Sequence, residues 1–429
     1  MKKGRNKGGI DLRRRRLLTA AALGGVALGG SGISMTRAVR AQSAEEPSRV
    51  PESMLVPGRP VVTPPYGVPS KFEKDIVRHA TNLNPTTLAS WSFTPLQDIH
   101  GPITPNGLFY ERHHNGVPTI DPDHHRLLIH GLVERPLIFT MDDLMRFPSV
   151  SRIHFLECSG NSSSEFSKPS DHIEASHGLL SCVEWTAVPL AVLLQEVGVR
   201  PEGKWILAEG ADAAAMTRSV PIEKATDDAL IAFAQNGERL RPEQGYPVRL
   251  LLPGYEGNMS VKWLRRLKVG NEPFMTREET SKYTGLLPDG HSAQFNFTMQ
   301  AKSVITSPSA GGVIKGGPGA LQITGLAWSG VGKVKQVDVT VDGGRSWRTA
   351  VLDIPILPKA LTRFRMPWHW DGAPAVIASR VTDETGYVQP TREALIAARG
   401  TQFHYHYNAI APWKIDAAGK VTNVYAAGA

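Results

Sequence analysis

His154-Phe155-Leu156-Glu157-Cys158-Ser159-Gly160-Asn161 is the stretch around which the 429-residue chain is organised. An apolar, strand-like run ends in a cysteine and passes at once into small residues, so the thiol sits on a turn with little bulk around it and can lie open to something large. A cysteine at a strand end is in most proteins a buried small hydrophobe that never reacts. The rest of the chain argues against that plain reading.

Outward from this stretch, the first residues read as an export signal. Arg13 to Arg16 lead into Leu17-Leu18 and a Gly/Ala-rich segment, and Val39-Arg40-Ala41 offers a small-residue cleavage site, the pattern of a twin-arginine leader over 1–41. Its apolar part is well short of the roughly 20 residues of a spanning helix, so no membrane span is expected after cleavage and the mature protein is expected in the periplasm. Of 48 basic and 40 acidic residues, ten and one fall in 1–41, which leaves 38 and 39. The basic excess therefore belongs to the leader, and nucleic-acid binding is not expected. Cys158 and Cys182 are the two cysteines. They are not a disulfide framework, although one bridge between them stays open, and no C-x-x-C-H attaches a haem.

From 42 to 70 the chain is rich in Pro, Ser and Glu and reads as an extended arm. Phe72 to Arg78 has the look of a short helical turn. A loop punctuated by proline and glycine then leads to Leu108-Phe109-Tyr110-Glu111-Arg112-His113-His114, where three potential cations follow an aromatic strand. Arg126 to Gly131 reads as a strand, Thr140 as a helix N-cap, Asn161 to Ser170 as a serine-rich loop, and Leu179 to Trp185 as a strand. Pro189 to Val197 has the period of an amphipathic helix, and Trp205–Ala208, Met216–Val220 and Leu230–Ala234 read as short strands. The pattern is α+β, without a βαβ repeat or a dinucleotide fingerprint. Gly245 to Gly254 reads as a buried strand that encloses Arg249, and Lys262 lies in a second apolar run. A charge there needs either a core carboxylate or a bound anion. Beyond about residue 295, Leu321–Trp328, Lys333–Val341, Ser346–Leu352 and Ala375–Thr382 alternate as the strands of a β-sandwich. His404 and His406 alternate on one face of a further strand, and two histidines alone make poor metal ligands. His113 is either structural or a surface charge, and Cys182 reads as a core residue.

Taken together these stretches resemble the sulfite oxidase family of molybdenum enzymes over nearly the whole mature chain. The likeness rests on Glu157-Cys158-Ser159-Gly160-Asn161, on Tyr110 to His114, on Ala208 to Asp212, on Gly245-Tyr246-Pro247-Val248-Arg249 with Val261-Lys262-Trp263, on Tyr283, and on Gly325 to Gly330 with Val337 to Trp347. It implies a molybdopterin-binding catalytic domain over 71–294, an immunoglobulin-like dimerisation domain over 295–415 and a tail over 416–429. Within the family, Thr104 to Gly107, Arg112 to His114 and Asp383 to Pro390 most resemble the molybdenum subunits of sulfane dehydrogenases.

The resemblance implies Mo-molybdopterin as cofactor, with Cys158 as the metal ligand and no haem on this chain. It places Arg112 and Tyr283 at the substrate, and Tyr110, His114, Asp212, Gln244, Arg249, Ser260 and Lys262 around the pterin. Thiolate is a soft ligand that suits such a metal, and a guanidinium offers paired donors to sulfur-bound oxygens. The implied reaction is oxygen transfer to sulfane sulfur on a carrier-protein cysteine, with electrons passed to a c-type cytochrome subunit. The implied assembly is a homodimer through the C-terminal domain, and a heterotetramer with the cytochrome. Oxidation of free sulfite is the alternative. Ser162 and Ser163 stand where other members carry arginines, and Gln244 where a histidine is frequent. Fewer cations near the metal favour a tethered substrate over a small free dianion.

Overall fold

In the computed structural model, which describes residues 54–55, 66–80 and 87–426, the strand Val150–Glu157 pairs antiparallel with Leu180–Pro189. Glu157 faces Leu180 across this ladder and Phe155 faces Cys182, both in the core. The expected leader and most of the expected arm at 42–70 lie outside the described residues. Leu230–Gln235 joins on the other side of Leu180–Pro189, and Arg249–Leu251 pairs with it in turn. A second sheet of five strands runs Leu137–Phe139, Leu127–Gly131, Leu264–Gly270, Trp205–Gly210 and Thr217–Pro221.

Local chemistry places the helices between these sheets. Thr140 caps Met141–Arg146, its hydroxyl accepting from the amide of Asp143 while the Asp143 carboxylate accepts from the amide of Thr140. The helix Leu190–Val197 buries Leu190, Leu193, Leu194 and Val197, the i, i+3, i+4, i+7 stripe of an amphipathic helix. It stops at Gly198, which takes the left-handed conformation with φ 66°.

The second half folds as two antiparallel sheets face to face. One contains Lys302–Ser307, Gly319–Trp328, Thr362–Trp370 and Val351–Leu352. The other contains Arg348–Thr349, Val334–Thr340, Ala375–Asp383, Trp413–Ile415 and Val421–Asn423. Trp328, Trp370 and Trp413 fill the space between them, each at most 2% exposed. Thr362–Trp370 is a further long strand, and Phe364, Met366, Trp368 and Trp370 alternate with Arg365, Pro367 and His369 in the period of a strand, with Pro367 the one residue that argues against it. Arg363 is buried and donates to the carbonyl of Gly101 at 3.3 Å.

Two expectations need correction. Val421–Asn423 is a sheet strand paired with Trp413–Ile415, and the Asn423 amide donates to Glu165 at 2.9 Å, so the segment read as a tail from 416 belongs in part to the sandwich. His404 and His406 do not share a strand face: both take positive φ, 61° and 55°, which is incompatible with a pleated run. His404 is exposed, whereas His406 is buried.

The two halves meet at Glu157. Its carboxylate accepts from Lys302 Nζ at 3.1 Å, from Trp328 Nε1 at 2.6 Å and from Asn161 Nδ2 at 2.9 Å. Lys302 also donates to Ser162 Oγ at 2.8 Å, and that hydroxyl lies 2.6 Å from His177 Nδ1. Glu157 and Lys302 are each 1% exposed. Removing one partner strands the other charge, so Lys302→Met is expected to lower stability by about 3–5 kcal/mol. Denaturant unfolding measures the change, and a loss under about 1 kcal/mol, the range of an exposed pair, would refute this role.

Candidate active site

Cys158 extends the ladder by one step, its amide donating to the carbonyl of Leu179 at 3.0 Å. The chain then turns: the Asn161 amide donates to the Cys158 carbonyl at 2.9 Å, and Asn161 Oδ1 accepts from the Leu179 amide at 3.1 Å. Ser162 follows with φ 66°. The turn leaves the Cys158 thiol on the wall of a cleft of about 680 Å³. All ten residues expected at the site line it: Tyr110, Arg112, His114, Cys158, Asp212, Gln244, Arg249, Ser260, Lys262 and Tyr283. Burial pushes the thiol of Cys158 up, opposed by the Gly160 amide and by Arg112. Both cysteines are free, and Cys182 is wholly buried in the core.

The floor of the cleft carries two cations. Arg249 is 2% exposed and donates to the carbonyls of Gln244 at 3.0 Å and Ser260 at 2.8 Å. It lies over Trp185, and its Nε has no partner. Lys262 donates to the carbonyls of Arg112 at 3.1 Å and Glu243 at 3.0 Å and lies 2.9 Å from His113 Nδ1. Neither cation forms an ion pair with a carboxylate among the described residues. Burial lowers Arg249 to about 10 and, with Arg249 nearby, Lys262 to about 7. A buried arginine with an orphaned N–H and a half-buried lysine, held by carbonyls and one imidazole nitrogen and by no carboxylate, form a cradle for an anion.

Gly257 keeps the wall thin at this place. A Cβ there would sit 2.8 Å from the Tyr110 hydroxyl and 2.9 Å from the Glu157 carbonyl. Gln244 donates to the Tyr110 carbonyl at 3.0 Å, and the Ser260 hydroxyl accepts from the Leu252 amide at 3.0 Å. His113 is structural: it is 5% exposed and bonds Glu111 as well as Lys262, so the three presumed cations of Arg112-His113-His114 reduce to one. His114 shares a 3.1 Å hydrogen bond with the Tyr283 hydroxyl, and burial beside Arg112 lowers it to about 4. Desolvation raises the phenol of Tyr283, with Cys158 adding to the effect.

Arg112, His114, Cys158 and Tyr283 also line a wider outer cavity of about 1550 Å³. The serine-rich turn, Ser162 and Ser163 included, lines it together with Trp91 and Tyr405. Lys168, Arg277 and Lys282 stand exposed on its lining, and no carboxylate does. These three cations line the outer cavity and not the inner cleft, where Ser162, Ser163 and Gln244 led to the expectation of fewer cations near the metal. They come from separate segments, and nothing in their local sequence marks them.

A model of the oxidoreductase molybdopterin binding domain matches residues 114–278, and one of the Mo-co oxidoreductase dimerisation domain matches 293–412. Among solved structures, the sulfane dehydrogenase SoxCD from Paracoccus pantotrophus matches with a TM-score of 0.86 and 47% identity, covering 88% of this chain and 98% of that one. The chain belongs to the sulfite oxidase family of molybdenum enzymes. Mitochondrial sulfite oxidase of Mus musculus is 32% identical over 313 residues, 68% of this chain and 57% of that protein. Nitrate reductase [NADH] 1 of Nicotiana tabacum is 34% identical over 308 residues, 63% of this chain and 33% of that protein. The chain thus spans a third to somewhat over half of these two relatives. The cofactor of this family member is Mo-molybdopterin, and the cationic cradle fits its phosphate.

Lys262 gives a pH test of the cradle. In the cofactor-free protein its folded value of about 7 lies below the 10.5 of an ordinary lysine. Between those values the unfolded chain holds the proton that the folded chain lacks, so this residue makes stability rise with pH. Denaturation midpoints at about pH 7 and about pH 9 should show that rise, and Lys262→Met should remove it.

Proposed function

We propose that this chain is an exported molybdenum oxidoreductase that oxidises sulfane sulfur carried on a protein cysteine and passes the electrons to a c-type cytochrome subunit. The observation that carries the reading is the join between the two cavities. A cationic cleft suited to molybdopterin joins, through Arg112, His114, Cys158 and Tyr283, an outer space far larger than one small anion needs. The likeness to a sulfane dehydrogenase over 98% of that protein's chain supports the same reading.

When bound, molybdopterin supplies a two-electron acceptor that passes an oxygen atom to sulfur. Cys158 would ligate the metal, and Tyr110, His114, Asp212, Gln244, Arg249, Ser260 and Lys262 would hold the pterin and its phosphate. Arg112, stacked 5.5 Å from the centre of the Trp91 ring, presents a fixed planar fork to the negative oxygens that accumulate on sulfur. Tyr283, tied to the neutral ring of His114, offers a hydroxyl to the same oxygens. Phe109, Met216 and Trp263 in the lining exclude water from the inner cleft. Periplasmic location, a homodimer through the C-terminal domain and a heterotetramer with the cytochrome belong to this proposal. Among the described residues no helix is long and apolar enough to cross a membrane.

The second reading, dehydrogenation of free sulfite, draws on Lys168, Arg277 and Lys282, whose charge attracts any anion. Cytochrome reduction by the loaded enzyme separates the two, with sulfite offered in one assay and a carrier bearing cysteine-linked sulfane in the other. Faster turnover of the carrier is expected, and faster turnover of sulfite would replace the first reading with the second. Arg112→Gln should lower kcat/KM by about 10²-fold, the scale of one lost oxyanion donor, at unchanged molybdenum content. Equal loss of metal would remove Arg112 from the substrate side.

A further inference from the structure

Arg218 lies in the strand Thr217–Pro221, is 1% exposed and lines neither cavity. Its Nε is 3.1 Å from Glu279 Oε1, and its Nη2 is 3.2 Å from Glu256 Oε1, ion pairs in which neither Nε nor Glu256 Oε1 is aligned for a hydrogen bond. Nη1 donates to Asn258 Oδ1, and the guanidinium carbon lies 4.9 Å from the centre of the Tyr283 ring. One buried side chain therefore holds four partners.

Each contact continues to the active site. Asn258 Nδ2 donates to the hydroxyl of Ser159 at 3.1 Å, and Ser159 is the residue after Cys158. Glu256 Oε2 lies 3.0 Å from His406 Nε2, and the His406 amide donates to the Ser159 carbonyl at 2.8 Å. Glu279 closes the capping box of the short helix Arg277–Thr280, from which the chain runs directly to Tyr283. Tyr283 takes φ 48°, a conformation that a residue other than glycine holds when its surroundings fix it.

We propose that Arg218 is the positioning residue of the site: its guanidinium fixes the ring of Tyr283 and, through Asn258 and Ser159, the turn that presents Cys158. A cation that only neutralised Glu256 and Glu279 would need no plane and no third donor. This one uses the planar group that distinguishes arginine from lysine, with Nη1 donating to an amide, its edge between two carboxylates and its face on a ring. The proposal rests on the functional reading above for its kinetic arm alone.

Arg218→Lys separates the two roles, since lysine keeps the charge and loses the fork. Iodoacetamide labelling of the cofactor-free protein reports on Cys158, because Cys182 is 0% exposed. Expected for Arg218→Lys is roughly tenfold faster labelling, the sign of a turn that opens locally. In the loaded enzyme, kcat per bound molybdenum should fall by about 10²-fold, the loss a misplacement of about 1 Å can cause, with KM changing far less. Wild-type labelling together with wild-type kcat would reduce Arg218 to a counter-ion and overturn the proposal. If Arg218→Lys does not fold, Asn258→Leu leaves both ion pairs in place and carries the same comparison: faster labelling supports the proposal, unchanged labelling overturns it. A loaded wild-type enzyme that oxidises no sulfur compound would sink the functional reading, while labelling still decides the role of Arg218.

Discussion

A carboxylate at 1% exposure cannot stand alone, and Glu157 does not. Its partners come from the turn that follows it, Asn161, and from the sandwich, Lys302 and Trp328. The next residue is Cys158. The place of the thiol is therefore set by a buried ion pair that spans both halves of the chain, and the sandwich braces the turn without lining the cleft.

Buried cations divide here into two kinds. Lys302 and Arg218 meet carboxylates, and Arg218 meets two. Arg249 and Lys262 meet carbonyl oxygens. A charge taken out of water needs an opposite charge or a set of dipoles. Those with carboxylates are complete within the protein and hold its shape. Arg363, also held by carbonyls, borders neither cavity, whereas Arg249 and Lys262 line the cleft and turn their positive field into it. The same distinction answers the question that the sequence raises about Arg249, where a core carboxylate and a bound anion stand as alternatives.

Short-range patterns were legible. The helix stripe at Leu190, Leu193, Leu194 and Val197, the Thr140 cap and the cysteine after an apolar strand all write their reason into neighbouring residues. The ten expected site residues share a cleft because they lie in stretches whose likeness to a known family is strong. Long-range chemistry was not legible. Arg218 sits between Thr217 and Ser219 like any polar strand residue, and its partners Glu256, Asn258 and Glu279 lie on other segments. Thr362–Trp370 carries the alternation of a strand, but the partners of its arginines, carbonyls for Arg363 and Asp353 for Arg365, lie on other segments. His404 and His406 imitated strand alternation while their backbone turned the other way.

The Glu157–Lys302 pair also bears on the order of events during synthesis. Its two residues are 145 positions apart, and Trp328 lies 171 positions beyond Glu157. When Cys158 leaves the ribosome, the groups that will fix its turn do not yet exist. The turn that carries the thiol is complete only after much of the sandwich has been translated and docked. On the proposed reading of Cys158 as the metal ligand, metal capture would be a late step of maturation, gated by completion of a part of the chain outside the cleft.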